Sequence, residues 1–147
     1  MASFENRQNE SVPMQPAPIL AFLLVAIPLL LAGPAFAADL CQEIENAAYE
    51  GDNEKILELI GQGADVNCQF PDGWTALMHA VYASRIATVR LLLEKGADAY
   101  MKKEDGVTAI DMAEAKRKLA TSDSTIAEAG QMLNLFAEWE DGLLGWD

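Results

Sequence analysis

Apolar residues recur at spacings of three and four along much of the chain, and clusters of turn residues separate the runs. Leu77 and Ala80 stand three apart on one predicted helical face, the alanine small enough for a close helix approach. A second helix is predicted from about Ala87 to Glu94, presenting Val89, Leu92 and Leu93 inward. Such spacings place apolar side chains on one side of a helix. A longer helix, from about Thr125 to Glu138, carries Ile126, Met132, Leu133, Leu135 and Phe136 on its apolar face. The polar stretch TSDST before it, residues 121 to 125, is expected to be an inserted loop.

Between helical runs lies GADVNCQFPDGWTAL, residues 63 to 77, whose turn residues let the chain reverse. Much of the pattern returns 33 residues later. Gly63-Ala64-Asp65 recurs as Gly96-Ala97-Asp98, Asp72-Gly73 as Asp105-Gly106, and Thr75-Ala76-Leu77 as Thr108-Ala109-Ile110. Ala80 recurs as Ala113 and Tyr49 as Tyr82. A fixed period of this size marks stacked supersecondary units. Within a unit, Thr75 or Thr108 can cap a helix start with its hydroxyl, and the preceding Gly73 or Gly106 can accept a positive φ. Gly96 ends the second helix in the left-handed conformation that helix C-termini favour. One unit exposes too much apolar surface to stand alone, so neighbours must cover it.

The amino-terminal segment differs. Ile19 to Leu31 is an apolar run without a charge, followed by Gly33, Pro34 and Ala35-Phe36-Ala37. This is the layout of a secretory signal peptide, with small residues at Ala35 and Ala37 for the peptidase. Cleavage after Ala37 would leave 147 − 37 = 110 residues, expected in the periplasm or secreted. The segment before the run holds Glu5 and Glu10 against a single Arg7, which makes Met14 an alternative start. The competing reading is an uncleaved anchor, since Ile19 to Ala38 is about long enough to cross a bilayer. Pro28, Gly33 and Pro34 weaken a continuous helix there. Lipidation of Cys41 is rejected, because Asp39 and Leu40 precede it where a small residue is needed.

Export changes the reading of the cysteines. Cys41 and Cys68 are the only pair, and an even number in an oxidising compartment favours a disulfide over two buried free thiols. The bridge would close a loop of about 28 residues, worth roughly 3 to 4 kcal/mol in the chain-entropy account. The formal charge of the whole chain is −13. Removing Glu5, Glu10 and Arg7 leaves 21 acids and 9 bases, or −12 for the exported part. Phosphate backbones and anionic lipid heads repel such a surface, which argues against nucleic acid and, after cleavage, against a membrane. A cationic protein surface would be attracted, although the acidity also serves to keep a small domain soluble.

The stretch DGWTALMHAVYASRIATVRLLLEKGADA closely resembles the ankyrin repeat family, aligning without a gap to its D-x-x-G-x-T-P-L-H-x-A pattern. IENAAYEGDNEKILELIGQGADVN resembles an opening repeat, and EDGVTAIDMAEAKRK the first half of a closing one. The resemblance spans roughly Leu40 to Lys118 and implies an all-α solenoid of about three helix-turn-helix units with short hairpin fingers. The units fall at about 40–70, 71–103 and 104–140, the last closed by the helical cap. Ala76 and Ala109 replace the family's proline, and Met78 takes its histidine position, with His79 one place later. Cys41 corresponds to Trp74 one period on. Antiparallel packing within the first repeat would then let Cys41 meet Cys68.

The resemblance further implies that fingers and first helices grip another protein, as a monomer or within a hetero-complex. The positions concerned are Tyr49, Glu50, Phe70, Asp72, Trp74, Tyr82, Ala83, Glu104 and Val107. Tyr49, Trp74 and Tyr82 are of the type that carries interface energy; the alternative for Trp74 and Phe70 is packing within the stack. Catalysis finds little support. His79 is the single histidine, with Met78 and Ala80 beside it, and the spacing shows no triad or metal cluster. No P-loop, G-x-S-x-G or C-x-x-C appears, and no cofactor is implied. Lys116-Arg117-Lys118 is expected to be a solvated helix end, and the tail FAEWEDGLLGWD to dock on its own domain. The expected role is an exported, non-catalytic module that binds and regulates one protein, as an immunity protein or inhibitor of a toxin. A catalase-associated accessory role, which some small exported ankyrin proteins resemble, and a membrane-anchored scaffold are the alternatives.

Overall fold

In a computed structural model the described residues run from 34 to 143, with side chains described from Ala38 onward. The apolar run at 19–31, the alternative start at Met14 and the end of the tail with Trp146 lie outside the described residues. Six helices and no strand are found among them. They are α1 (Pro34–Glu50), α2 (Asn53–Gly61), α3 (Ala76–Tyr82), α4 (Ile86–Glu94), α5 (Ala109–Leu119) and α6 (Asp123–Glu140). None is long and apolar enough to cross a membrane. The expected cleavage point after Ala37 falls in the first turn of α1, ahead of every side chain described as buried.

The helices pack as antiparallel pairs in two layers. First helices α1, α3 and α5 stack on one another, and second helices α2, α4 and α6 stack behind them. The core runs between the layers. Ile44, Ile56, Leu59, Leu77, Met78, Val81, Val89, Leu92, Leu93 and Met132 are all fully buried in it, each contributing about 1.5–3 kcal/mol of apolar burial. The small residues Ala48, Ala76, Ala80, Ala109 and Ala113 are equally buried and let the first helices approach closely. The stacked units read from the 33-residue period, and the all-α solenoid that the resemblance implies, are therefore the fold of this chain.

The start and stop signals act as their chemistry requires. Thr75 accepts the Met78 N–H at α3, and Thr108 accepts the Asp111 N–H at α5. Asp111 returns the bond by accepting the Thr108 N–H, which completes a capping box. Each finger turns through four residues: the Gly73 N–H donates to Phe70 O at 2.7 Å, and one period later the Gly106 N–H donates to Lys103 O at 2.8 Å. Asp72 and Asp105 hold these turns by accepting the backbone N–H two residues on, from Trp74 and Val107. The fingers are also tied to each other. The Asn67 side chain donates to Gly96 O at 3.0 Å and accepts the Asp98 N–H at 2.8 Å, and Gln69 donates to Lys102 O at 3.1 Å. Cys41 and Cys68 form a disulfide with 5.9 Å between their Cα atoms, joining α1 to the first finger of its own repeat.

Three expectations need correction. The polar stretch from Thr121 to Thr125 is not an inserted loop: the Ser122 hydroxyl accepts the Thr125 N–H and starts α6 at Asp123. Ile126 does not face inward but is exposed, because the buried stripe of α6 is Ala129, Met132, Leu135 and Phe136 and Ile126 falls on its flank. Lys116 is not a solvated helix end. It is half-buried and its Nζ donates to Tyr82 O and Ser84 Oγ, each at 2.6 Å, so that it caps the carbonyl end of α3 rather than its own helix. Arg117 and Lys118 remain exposed as expected. The tail begins inside α6, with Phe136 buried and Trp139 packed at 5.6 Å from the Tyr100 ring, while Leu143 is exposed.

Candidate functional site

The first-helix layer carries a groove of about 390 Å³ lined by Asn46 and Tyr49 from α1, His79 and Tyr82 from α3, and Trp74 just before α3. The 33-residue period explains the pairing, since Tyr49 and Tyr82 occupy the same place in successive repeats. Stacking α1 on α3 leaves these two rings nearly parallel, 24° apart with centroids at 6.4 Å. Trp74 meets Tyr82 edge-on at 5.8 Å and the His79 ring at 4.8 Å. Both tyrosines stay about half exposed, at 49% and 57%. Tyr82 also lines a larger, mostly apolar hollow of about 440 Å³ between α3, α5 and α6, together with Met112, Lys116, Leu119 and Met132.

Behind the groove sits a buried acid. Glu45 on α1 is 5% exposed, and its Oε2 lies 3.5 Å from His79 Nε2. Its other oxygen, Oε1, is buried without a hydrogen-bond partner. Burial, and secondarily the negative charge of Asp72, push the Glu45 carboxyl up to about 7. Burial also holds the His79 imidazole below its ordinary value, with Asp72 opposing. Near neutrality the Glu45 carboxyl is thus about half ionised beside a neutral imidazole. Lys103 from the second finger reaches over Trp74, with Nζ 5.7 Å from the ring centroid, and pairs with Asp105.

The candidate binding positions therefore divide. Tyr49, Trp74 and Tyr82 converge on the groove with His79, and the exposed Asp72 adds its charge beside them. Phe70 and Val107 are half-buried in their fingers, and Glu104 is exposed on the second finger with its N–H bonded to Asp72 O at 3.3 Å. Glu50 is exposed at the end of α1 and Ala83 is half-buried at the end of α3; neither lines the groove. Met78, at the position of the family's histidine, is wholly buried. Glu45 escaped the reading of the sequence, yet the signal was present. The period projects it onto buried Met78, just as Ile44 projects onto Leu77 and Ala47 onto Ala80. An acid at a core position is anomalous wherever no partner neutralises it. Among the described residues no group of three or more His, Cys, Asp and Glu gathers that could hold a metal ion.

Comparison with known proteins agrees with this geometry. The family model described as "Ankyrin repeats (3 copies)" matches residues 44–121, more than half of the chain. The 2-5A-dependent ribonuclease of Mus musculus is 43% identical over 63 residues, covering 42% of this chain and 9% of that protein. The ankyrin repeat, SAM and basic leucine zipper domain-containing protein 1 of Neofelis nebulosa is 35% identical over 74 residues, covering 50% and 16%. Its counterpart in Oryctolagus cuniculus is 34% identical over 77 residues, covering 52% and 16%. The chain thus spans less than a fifth of the length of these curated relatives. Repeats of this kind are protein–protein interaction modules, generally without catalysis of their own. The matched repeats, the two-layer stack and the bonded fingers together make this chain a member of the ankyrin repeat family.

Proposed function

We propose that this chain is an exported interaction module that seats one protein partner on the face formed by α1, α3 and the fingers and restrains that partner, as an immunity protein or inhibitor does. The observation that carries the reading is the groove itself. Three amphipathic rings and a histidine from two stacked repeats converge on one face while the tyrosines stay about half exposed. Rings of this kind supply large contact area with little conformational freedom to lose, which is why they dominate interface energies. The uncharged run from Ile19 to Leu31, ahead of Ala35 and Ala37, supports export to the periplasm. The acidity of the chain supports a partner with a cationic surface.

The test is affinity capture from the native periplasm with the wild-type chain and with Trp74→Ala. The proposal expects a partner that the wild type retains and the variant loses. Equal recovery by both forms contradicts the assigned surface. The amino-terminal residue of the exported product is expected to be Ala38, and a product that retains residues 19–31 would replace export by membrane tethering.

A further inference from the structure

A buried carboxylate with an unpartnered oxygen is unfavourable, and the fold does not require one here. The corresponding place in the next repeat is filled by Met78, which is fully buried. Exchange of Glu45 for an apolar residue would therefore suit the core, because burying an uncompensated acid weakens a fold. What Glu45 provides, in its ionised form, is negative charge directly behind an aromatic opening. Its carboxylate lies 3.5 Å from His79, which lines the groove with Tyr49, Trp74 and Tyr82. The rings carry negative faces, and Lys103 over Trp74 shows an ammonium already held by one of them. Around the opening, Asp72 adds a further negative charge.

We propose that the groove takes one lysine or arginine side chain of the partner, its cationic head held against the rings of Tyr49, Trp74 and Tyr82 and within the field of Glu45. This deepens, and rests on, the protein-binding reading above. Charge complementarity selects the occupant. The chain carries 23 acidic against 10 basic residues, and neither α1 nor α3 contains a lysine or arginine that could neutralise Glu45. The groups facing Glu45 are His79 from α3 and Asp72 from the first finger; Lys55 of α2 is engaged with Glu43 and Glu58. A cation arriving in the groove favours the ionised form of Glu45, so binding releases a proton and strengthens as pH rises through about 7.

The experiment titrates a Gly-Lys-Gly peptide into the full chain and follows the ring signals of Tyr49, His79 and Tyr82 by NMR, with a Gly-norleucine-Gly peptide as the neutral control. The lysine peptide is expected to shift these signals saturably and the norleucine peptide to leave them in place. Tyr82→Ala, at an exposed position, is expected to weaken the lysine peptide about three- to fivefold, the weight of one exposed cation–ring contact. Glu45→Gln is expected to weaken it about tenfold near pH 8 and to change little near pH 5, where the acid is already neutral. Equal shifts by both peptides, no shift by either, or undiminished affinity in both variants overturns the proposal. Tyr82→Ala decides alone if Glu45→Gln does not fold. A failed titration beside a partner captured by the wild type and lost by Trp74→Ala overturns only the cation site. A successful titration without such a partner overturns only the protein-binding reading.

Discussion

Glu45 and His79 meet across the first two repeats, with Oε2 3.5 Å from Nε2, and the carboxylate is almost completely buried. Burial raises the Glu45 carboxyl from its ordinary 4.5 to about 7. Between these values the unfolded chain has released the proton and the folded chain has kept it, so the Glu45 contribution to stability falls as pH rises through that window. His79 acts on the acidic side. Its folded value lies below the ordinary 6.5, so its contribution is lost as pH falls below 6.5. Comparison with Glu45→Gln isolates the acid. The variant should gain stability over the wild type progressively from pH 4.5 to about 7, by up to about 3 kcal/mol, and hold that gain above. Chemical denaturation of both proteins across this range measures it, and a constant difference would contradict the shift.

Gly73 and Gly106 occupy the same turn position one period apart, with φ of 80° and 82°. Their surroundings differ. A Cβ on Gly73 would stand 2.6 Å from Lys103 Cα in the next finger, whereas one on Gly106 meets nothing within 4 Å. Gly106→Ala should therefore cost about 1 kcal/mol, from the left-handed backbone alone. Gly73→Ala should cost about 3 kcal/mol, because the fingers must also separate. Thermal denaturation of the two variants gives the comparison, and equal losses would show that the fingers are not in backbone contact.

The disulfide between Cys41 and Cys68 closes the first repeat through a separation of 27 residues. Its removal by Cys41→Ser with Cys68→Ser should lower stability by about 3 kcal/mol in the chain-entropy account. Adding a reductant should lower the wild-type urea midpoint to that of the double variant. A midpoint insensitive to reductant would mean that the bridge is absent from the folded protein in solution.

Lys116 holds the end of α3 through Tyr82 O and Ser84 Oγ. Ser84 stands with φ at 58° where the first repeat has Gly51 at 84°, so this turn is held in a conformation that serine rarely adopts. Lys116→Ala should cost about 1–2 kcal/mol, against less than about 0.5 kcal/mol for exposed Arg117→Ala. Denaturant midpoints of the two variants decide between a clamp and a solvated lysine.

Much of the fold was legible because the period repeats local chemistry. Thr75 and Thr108 cap, Gly73 and Gly106 turn, and Leu77 and Ala80 pack, each for reasons contained within a few residues. The misses arose where a side chain acts across repeats or where a polar cluster has two uses. Lys116 caps another helix, which no local pattern encodes. Ser122 sits in a polar run equally suited to a loop or a cap, and the cap prevails. Of the candidate site, Tyr49 and Tyr82 could be paired by period alone, but the place of His79 against Glu45 needs the stacking of α1 on α3. Glu45 was hidden by its setting between the polar, exposed Glu43 and Asn46, although its alignment with Met78 exposes the conflict.

The most direct test of the account replaces single residues by a photo-crosslinking amino acid in the full chain under native expression. Tyr82 marks the groove, and Leu57, exposed on α2 in the opposite layer, marks the back. The account predicts a defined protein adduct from position 82 and none from position 57. Adducts only from position 57, or equal labelling from both, would contradict the claim that the first-helix face is where a partner sits.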